Sequence, residues 1–196
     1  MKLSEVNLSK IGAACLCVNG IILLFYGLFV PTFVRGVHWL ITLAVILFIV
    51  AIPAIYLSIR RIERVVAKVV AALFVFAMAA IIVSDLLFAL SLLTTFSHDL
   101  TYFLGNAVLV IGVLVVGFVA LKGVFYKWVA YLGIVTGVVG LESVLAIAAN
   151  LPQAAGPLST FSLVLLGLWS LAVGFNIHKL AKSRFSKPRR QARRST

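Results

Sequence analysis

Two carboxylates lie inside long apolar stretches of the sequence. Asp85 is in the middle of "IIVSDLLFAL" (81–90), and Glu142 has a similar place in "VVGLESVLAI" (138–147). A carboxyl group in such surroundings can bind a proton, a cation or a cationic small molecule if a polar pocket reaches it. It can equally be a protonated hydrogen-bonding group that links helices. The residue types alone leave both interpretations open.

Several other polar side chains are expected at the same level as the two acids. Asn106 follows the start of the fourth apolar segment by four or five residues, and Trp169 is central in the sixth. The indole N–H of Trp169 needs an acceptor, although the ring can also simply fill core volume. Asn19 and Asn176 are predicted to form hydrogen bonds between helices. The candidate polar pocket therefore comprises Asp85, Glu142, Ser84, Ser143, Asn106 and Trp169.

The elements that must position these residues follow from composition. Of the 196 residues, 63% are hydrophobic and 11% are charged, whereas an average soluble domain has about 25% charged residues. A run of about 18 or more apolar residues can cross a bilayer, and within lipid the backbone must satisfy its own hydrogen bonds as a helix. The sequence thus predicts an all-α, polytopic bundle of six transmembrane helices, at about 11–30, 38–59, 67–93, 102–121, 128–150 and 157–178.

The distribution of cations predicts the orientation of the bundle. The chain has 17 Lys and Arg residues, and all except Arg35 fall on one side of a six-span topology. Loops rich in Lys and Arg remain in the cytoplasm. We therefore expect residues 1–10 and 179–196 to be cytoplasmic, in a multi-pass protein of the cell membrane. The first segment is predicted to be a retained helix rather than a signal peptide, because Cys15 lies near the start of a 20-residue apolar run.

The C-terminal tail is strongly basic and carries no acid. Anionic lipid headgroups attract each basic residue near the membrane surface by about 1 kcal/mol. The tail is therefore predicted to bind such headgroups or an acidic partner protein, rather than nucleic acid. The docking residues would be Lys182, Arg184, Lys187, Arg189, Arg190, Arg193 and Arg194.

Small residues on the fifth segment predict close helix packing. Gly133 and Gly137 form a G-x-x-x-G pattern, with Gly140 near the same ridge. Glu142 is nine positions from Gly133 and hence close to the opposite side of that helix. Either protein surrounds this helix on both sides, or Glu142 faces a partner subunit. The second alternative predicts a homo-oligomer or a complex with other membrane subunits.

The sequence offers no residue set that argues for catalysis. His38, His98 and His178 are scattered without metal-ligand spacing, and Cys15 and Cys17 point to different sides of one helix. Nucleophile elbows and glycine-rich phosphate loops are missing from the sequence. We therefore predict neither a metal nor a cofactor, and the chain is more consistent with a non-enzymatic protein.

The stretch "VLVIGVLVVGFVALKGVFYKWVAYLGIVTGVVGL" (108–141) resembles a prokaryotic family of six-helix integral membrane proteins of unknown function. The similar features are Gly112 and Gly117, a short basic turn, and then "KWVAYLGIVTGVVGL". The stretch covers 34 of the 196 residues. The resemblance implies six spans and no established activity.

Three functions are compatible with these features. The leading one is an accessory or structural subunit, or a scaffold, in a membrane complex, because the loops are short and glycines line a packing face. The alternative is a small transporter or channel component with a polar pocket around Asp85 and Glu142. The third is an intramembrane lipid-modifying enzyme.

Overall fold

The computed structural model describes residues 3–29, 38–90, 92 and 95–185. All elements in this part of the chain are α-helices, which confirms the predicted all-α fold with six helices. Each of them is long and apolar enough to cross a membrane. The helices are α1 (Leu3–Phe29), α2 (His38–Ile59), α3 (Arg64–Ala89), α4 (Thr95–Ala120), α5 (Lys127–Ala148) and α6 (Pro152–Phe185).

Several helices extend beyond the apolar segments that predicted them. The first begins at Leu3 rather than at 11, and the sixth covers Pro152–Phe185 rather than 157–178. Hydropathy marks only the apolar part of a helix, whereas backbone hydrogen bonds continue through polar turns. The third helix is shorter than predicted, since it ends at Ala89 rather than at 93.

The six helices form a closed ring. Each helix packs against its neighbours in the sequence, and α1 packs against α6 through the most extensive of all the interfaces. Glycines allow this closure: a methyl group at Gly20 of α1 would lie 2.6 Å from the carbonyl oxygen of Gly167 of α6. Backbone therefore meets backbone here, as in other closely packed membrane helices.

The core of the ring is apolar and well filled. Trp169 and Phe74 are its largest fully buried side chains, and Phe74 meets Phe48 edge to face with ring centroids 5.1 Å apart. Between 33% and 50% of each span is buried, and the outward positions are also apolar. A surface of this kind suits lipid rather than water, and α2 accommodates Pro53 within one continuous helix.

The connection between α5 and α6 is a tight helix ending. Asn150 has φ of 53°, a left-handed conformation that asparagine tolerates better than most residues. The N–H groups of Asn150 and Leu151 donate to the carbonyls of Ile147 and Ala146, at 3.0 and 2.9 Å. This is a Schellman ending. Helix α6 then begins at Pro152, where the missing N–H removes no helical hydrogen bond.

Polar contacts tie the loops together at one end of the bundle. Arg60 pairs with Glu5 at 2.5 Å, and Lys122 pairs with Glu63 at 2.6 Å. These pairs link the start of α1 to the end of α2, and the α2–α3 turn to the α4–α5 turn. We call this the basic end, because Lys10, Arg60, Arg61, Arg64, Lys68, Lys122, Lys127, Lys179 and Lys182 all lie at or near it.

Asn176 ties α6 to the same end. Its Oδ1 atom accepts a hydrogen bond from the backbone N–H of Tyr126 at 3.3 Å, while its Nδ2 atom donates to the carbonyl of Ala172. Lys179 also reaches the hydroxyl of Tyr126, at 2.5 Å. The α4–α5 turn is therefore held from two sides.

Candidate functional site

A polar cluster occupies the interior near the end of the bundle opposite the basic end. The Asp85 carboxylate of α3 is close enough to Tyr102 of α4 to act on it electrostatically. One turn further along α4, the Asn106 side chain donates from Nδ2 to the carbonyl of Tyr102 at 2.9 Å. The neighbouring Ser84 is fully buried. Asp85, Ser84 and Asn106, which the sequence grouped together, therefore lie around one segment of α3 and α4.

A cavity of about 370 Å³ lies beside this cluster, between α4, α5 and α6. Its wall contains Tyr102 and Asn106 together with three hydroxyl groups, those of Ser143, Ser159 and Ser162. The Oγ atoms of Ser143 and Ser159 are hydrogen-bonded at 2.8 Å. The rest of the wall is apolar. Its volume is within the range of small-molecule pockets, about 300 to 1,000 Å³.

A second, smaller cavity of about 50 Å³ adjoins the first on the axis of the ring. Both are lined by Tyr102, Asn106 and Leu109 of α4 and by Leu163 and Leu166 of α6. The smaller one also reaches α1, α2 and α3. The polar side chains therefore line a path from the centre of the bundle to its surface at the exposed residue Ile147 of α5.

Asn19 of α1 is the buried polar residue at the inner limit of this path. Its Nδ2 atom donates to the carbonyl of Ala44 in α2 at 2.7 Å, so it forms a hydrogen bond between helices. Its Oδ1 atom is buried and has no hydrogen-bond partner within the described part of the chain. Since buried polar atoms almost always have partners, this acceptor points to a missing donor.

Glu142 lies apart from these residues. It is exposed on α5, and it makes no hydrogen bond or ion pair with any described residue. Helices α3 and α5 each pack against α4 and have no extensive interface with each other in the described part of the chain. The structure thus does not bring Asp85 and Glu142 together in one pocket. The expectation that protein surrounds α5 on both sides is wrong for the single chain, and contact with a partner subunit stays a prediction.

The glycines of α5 face α4 and α6. A methyl group at Gly137 would lie 2.6 Å from Cβ of Leu114, and one at Gly140 would lie 2.9 Å from Cβ of Val110. Both positions therefore need the absence of a side chain for α4 to approach this closely. Each is buried.

Trp169 is completely buried and belongs to the core. Its Nε1 atom would lie 2.7 Å from a methyl group at Gly133, so the indole packs closely against α5 at this glycine. Trp169 is not among the residues that line the two cavities. Its position is that of a volume-filling side chain between α5 and α6.

The basic tail is described only at its beginning. Lys182 is exposed near the end of α6, and Arg184 lies within the last turn of that helix. The other predicted docking residues lie outside the described residues, namely Lys187, Arg189, Arg190, Arg193 and Arg194.

Four residues of the site went unrecognised in the sequence: Tyr102, Ser159, Ser162 and the acceptor function of Asn19. Ser159 and Ser162 are three apart and so share one face of α6. That spacing was the feature of the sequence that could have identified these two serines as neighbours in the site. Tyr102 resembles an interfacial aromatic residue by its position, and only the fold shows its place in the wall of the cavities.

The fold and the site define a multi-pass α-helical membrane protein with an interior polar cavity near one end. Among the described residues, no group of three or more His, Cys, Asp or Glu side chains could hold a metal ion. No protein-family model, curated protein or solved structure matches this chain.

Proposed function

We propose that this chain is an accessory or structural subunit of a membrane complex, and that it binds its partner subunit within the bilayer through one face of α5. We call the outward ridge of this helix the α5 face. Its members recur at intervals of three and four residues and are all exposed: Trp128, Tyr131, Val135, Val138, Glu142 and Leu145.

The position of Glu142 is the observation that carries this proposal. Helix α5 has 22 residues, and Glu142 lies about 7 Å past its midpoint at 1.5 Å per residue. A charged residue at the centre of a membrane helix costs about 2.5 to 3.5 kcal/mol on insertion scales, and such residues rarely face lipid. A partner that hydrogen-bonds this carboxyl group removes most of that cost. The three- and four-residue spacing of the ridge also suits helix–helix packing.

Site-specific crosslinking in native membranes tests this proposal. A photoreactive amino acid at Val138 or Leu145 should form a protein adduct, whereas the same probe at Val75 or Val83 should label only lipid. The latter two residues are equally apolar and exposed on α3. An adduct of twice 21.2 kDa would identify a second copy of the chain, and another mass would identify a different subunit. Lipid adducts alone at all four positions would contradict the proposal.

Two substitutions of Glu142 measure the contribution of its carboxyl group. Hydrogen bonds between membrane helices contribute about 0.6 to 1.7 kcal/mol in double-mutant cycles. Glu142→Leu should therefore weaken association about threefold to twentyfold. Glu142→Gln, which retains hydrogen-bonding atoms, should weaken it less. Equal association of the unchanged protein and both variants would exclude Glu142 from the interface.

We also propose that the basic end faces the cytoplasm of the cell and that the tail contacts anionic headgroups there. The support is the concentration of Lys and Arg at this end of the bundle. An impermeant reagent added to intact cells should not reach a C-terminal tag, and should reach it after lysis. Labelling in intact cells would reverse the proposed orientation.

A role as a small transporter or channel component is the second candidate. It is favoured by the cavity between α4, α5 and α6 and by the proximity of Asp85 to Tyr102 in its wall. In this proposal Asp85→Asn alters solute or ion flux in reconstituted vesicles, while Glu142→Gln leaves flux unchanged. Unchanged flux in Asp85→Asn together with altered flux in Glu142→Gln would show that transport does not use this cavity.

A further inference from the structure

The two cavities beside Asn106 differ in size in a way that suits an amphiphilic molecule. The inner one, of about 50 Å³, can hold a small head group, since one water has a share of about 30 Å³ in the liquid. The outer one, of about 370 Å³, is mostly apolar and reaches the surface at the exposed residue Ile147. A head group can therefore lie on the axis of the bundle while a chain extends toward the lipid.

The inner cavity requires a hydrogen-bond donor. Asn19 is 2% exposed, and its Oδ1 atom has no partner within the described part of the chain. The other walls of this cavity are largely apolar, with Ile41, Val45 and Phe48 from α2. An O–H group is a donor small enough for this cavity.

The outer cavity adds hydroxyl groups along one side of an apolar channel. Ser143 and Ser159 are bonded to each other, and Ser162 lies one turn further along α6. Each hydroxyl has one hydrogen and two lone pairs, so the bonded pair retains one hydrogen to donate as well as lone pairs that accept. These groups suit an ester or ether oxygen as well as a second hydroxyl.

The lack of a positively charged side chain in the described walls excludes anionic ligands from this space. Of the described residues that line the two cavities, none is Asp, Glu, Lys, Arg or His. A carboxylate or phosphate group would therefore be buried without an opposite charge, which is strongly unfavourable.

We propose that the two cavities form one binding site for a neutral, hydroxyl-bearing lipid, such as a long-chain alcohol or a monoglyceride. Its hydroxyl group donates to Oδ1 of Asn19, and its chain lies in the space lined by Ser143, Val144 and Leu163. The lipid enters beside the exposed residue Ile147 of α5. Neither Glu142 nor Val138 of the α5 face lines this site, so the lipid proposal does not rest on the subunit contact.

Photolabelling of the full-length protein tests the site. The probe is hexadecanol with a diazirine in its chain, and the comparison probes are the matching hexadecane and hexadecanoate. The alcohol should label α4 and α6 saturably, and unlabelled hexadecanol should compete. The alkane should bind about tenfold more weakly, because a net hydrogen bond corresponds to about that factor. Hexadecanoate, tested at pH 8, should also label the protein less than the alcohol does.

Two variants separate the head-group and chain positions. Asn19→Leu removes the acceptor at similar size and should reduce labelling by the alcohol to the level of the alkane. Val144→Phe fills the outer cavity and should reduce labelling by both probes. Val75→Phe is the matched control, because Val75 is exposed on α3 and should leave labelling unchanged. Size-exclusion elution of each variant verifies that it is folded.

Certain outcomes would overturn the proposal. One is equal, non-saturable labelling by the alcohol and the alkane, which would mean that the cavities are filled by bulk lipid chains. Another is normal labelling of a folded Val144→Phe variant. A third is an Asn19→Leu variant with unchanged alcohol labelling, in which case water alone supplies the missing donor.

Discussion

The closure of the ring between α1 and α6 predicts a large effect for a very small substitution, Gly20→Ala. The new methyl group would lie 2.6 Å from the carbonyl oxygen of Gly167 and 2.9 Å from the backbone nitrogen of Leu171. Ordinary contact begins at 3.4 Å, so the two helices must separate by about 0.8 Å. The obstacle is backbone, which cannot rotate away as a side chain can.

The magnitude follows from two opposing effects. Overpacking of this kind costs about 1 to 3 kcal/mol, and a gap of 0.5 to 1 Å along an interface loses about a quarter to a half of its dispersion energy. Alanine gains up to about 1 kcal/mol over glycine in helix propensity. We therefore expect Gly20→Ala to lower the free energy of unfolding by about 2 kcal/mol.

Reversible unfolding in mixed micelles with increasing SDS measures this change. Gly156→Ala is the matched control, because Gly156 is also helical but a methyl group there would have nothing within 4 Å. That control should be neutral or gain up to about 1 kcal/mol. The double variant Gly20→Ala/Gly167→Ala should lose less than the sum of its single variants, since both require the same separation of helices.

The refuting result is specific. If Gly20→Ala unfolds at the same SDS fraction as Gly156→Ala, then α1 and α6 do not approach as closely as described. Additive losses in the double variant would likewise show that Gly20 and Gly167 do not share one contact.

Three further predictions concern the core and the basic end. Phe74→Ala should lower the free energy of unfolding by about 3 kcal/mol or more, because it opens a cavity in a fully buried site; thermal melting in detergent checks this. Lys122→Gln should cost less than about 1 kcal/mol in the same assay, since its pair with Glu63 is at an exposed surface. The hydrogen bond that Arg60 donates to the Glu5 carboxylate raises the pKa of Arg60 above its ordinary value. The stabilisation from the Arg60–Glu5 pair is therefore present at lower pH and is lost only as pH rises through that raised pKa. Arg60→Gln should accordingly lower the melting temperature equally at about pH 6 and pH 9.

Hydropathy predicted the number of helices because the bilayer imposes a simple length requirement on each of them. It did not predict which helices would be neighbours. The α1–α6 interface rests on Gly20 and Gly27 on one side and Gly167 and Gly174 on the other, each pair seven residues apart. This spacing repeats every two turns and was a usable signal, but glycine is common in membrane helices and the pairing partner cannot be read from either sequence alone.

The sequence predicted the depth of the site residues along their helices, but not the side of each helix on which they lie. Counting residues from helix ends placed Asp85, Asn106, Ser143 and Glu142 at a similar level. Whether two of them meet depends on the rotation of each helix and on the order of the ring. Helix α4 lies between α3 and α5, so Asp85 lies near Tyr102 on one side of it while Glu142 is exposed on the other.

The proposed partner surface and the proposed lipid site belong to two different faces of the same turn of α5. Glu142 is exposed, and the next residue, Ser143, is buried in the cavity wall, a rotation of about 100°. A partner on the α5 face therefore restrains the helix that forms one wall of the cavity. If lipid binding shifts this helix, association and lipid affinity must change by the same factor, because such coupling is reciprocal. Variants at Glu142 therefore need scoring in the labelling assay, and Val144→Phe in the crosslinking assay. Only a change confined to one assay assigns a residue to one site.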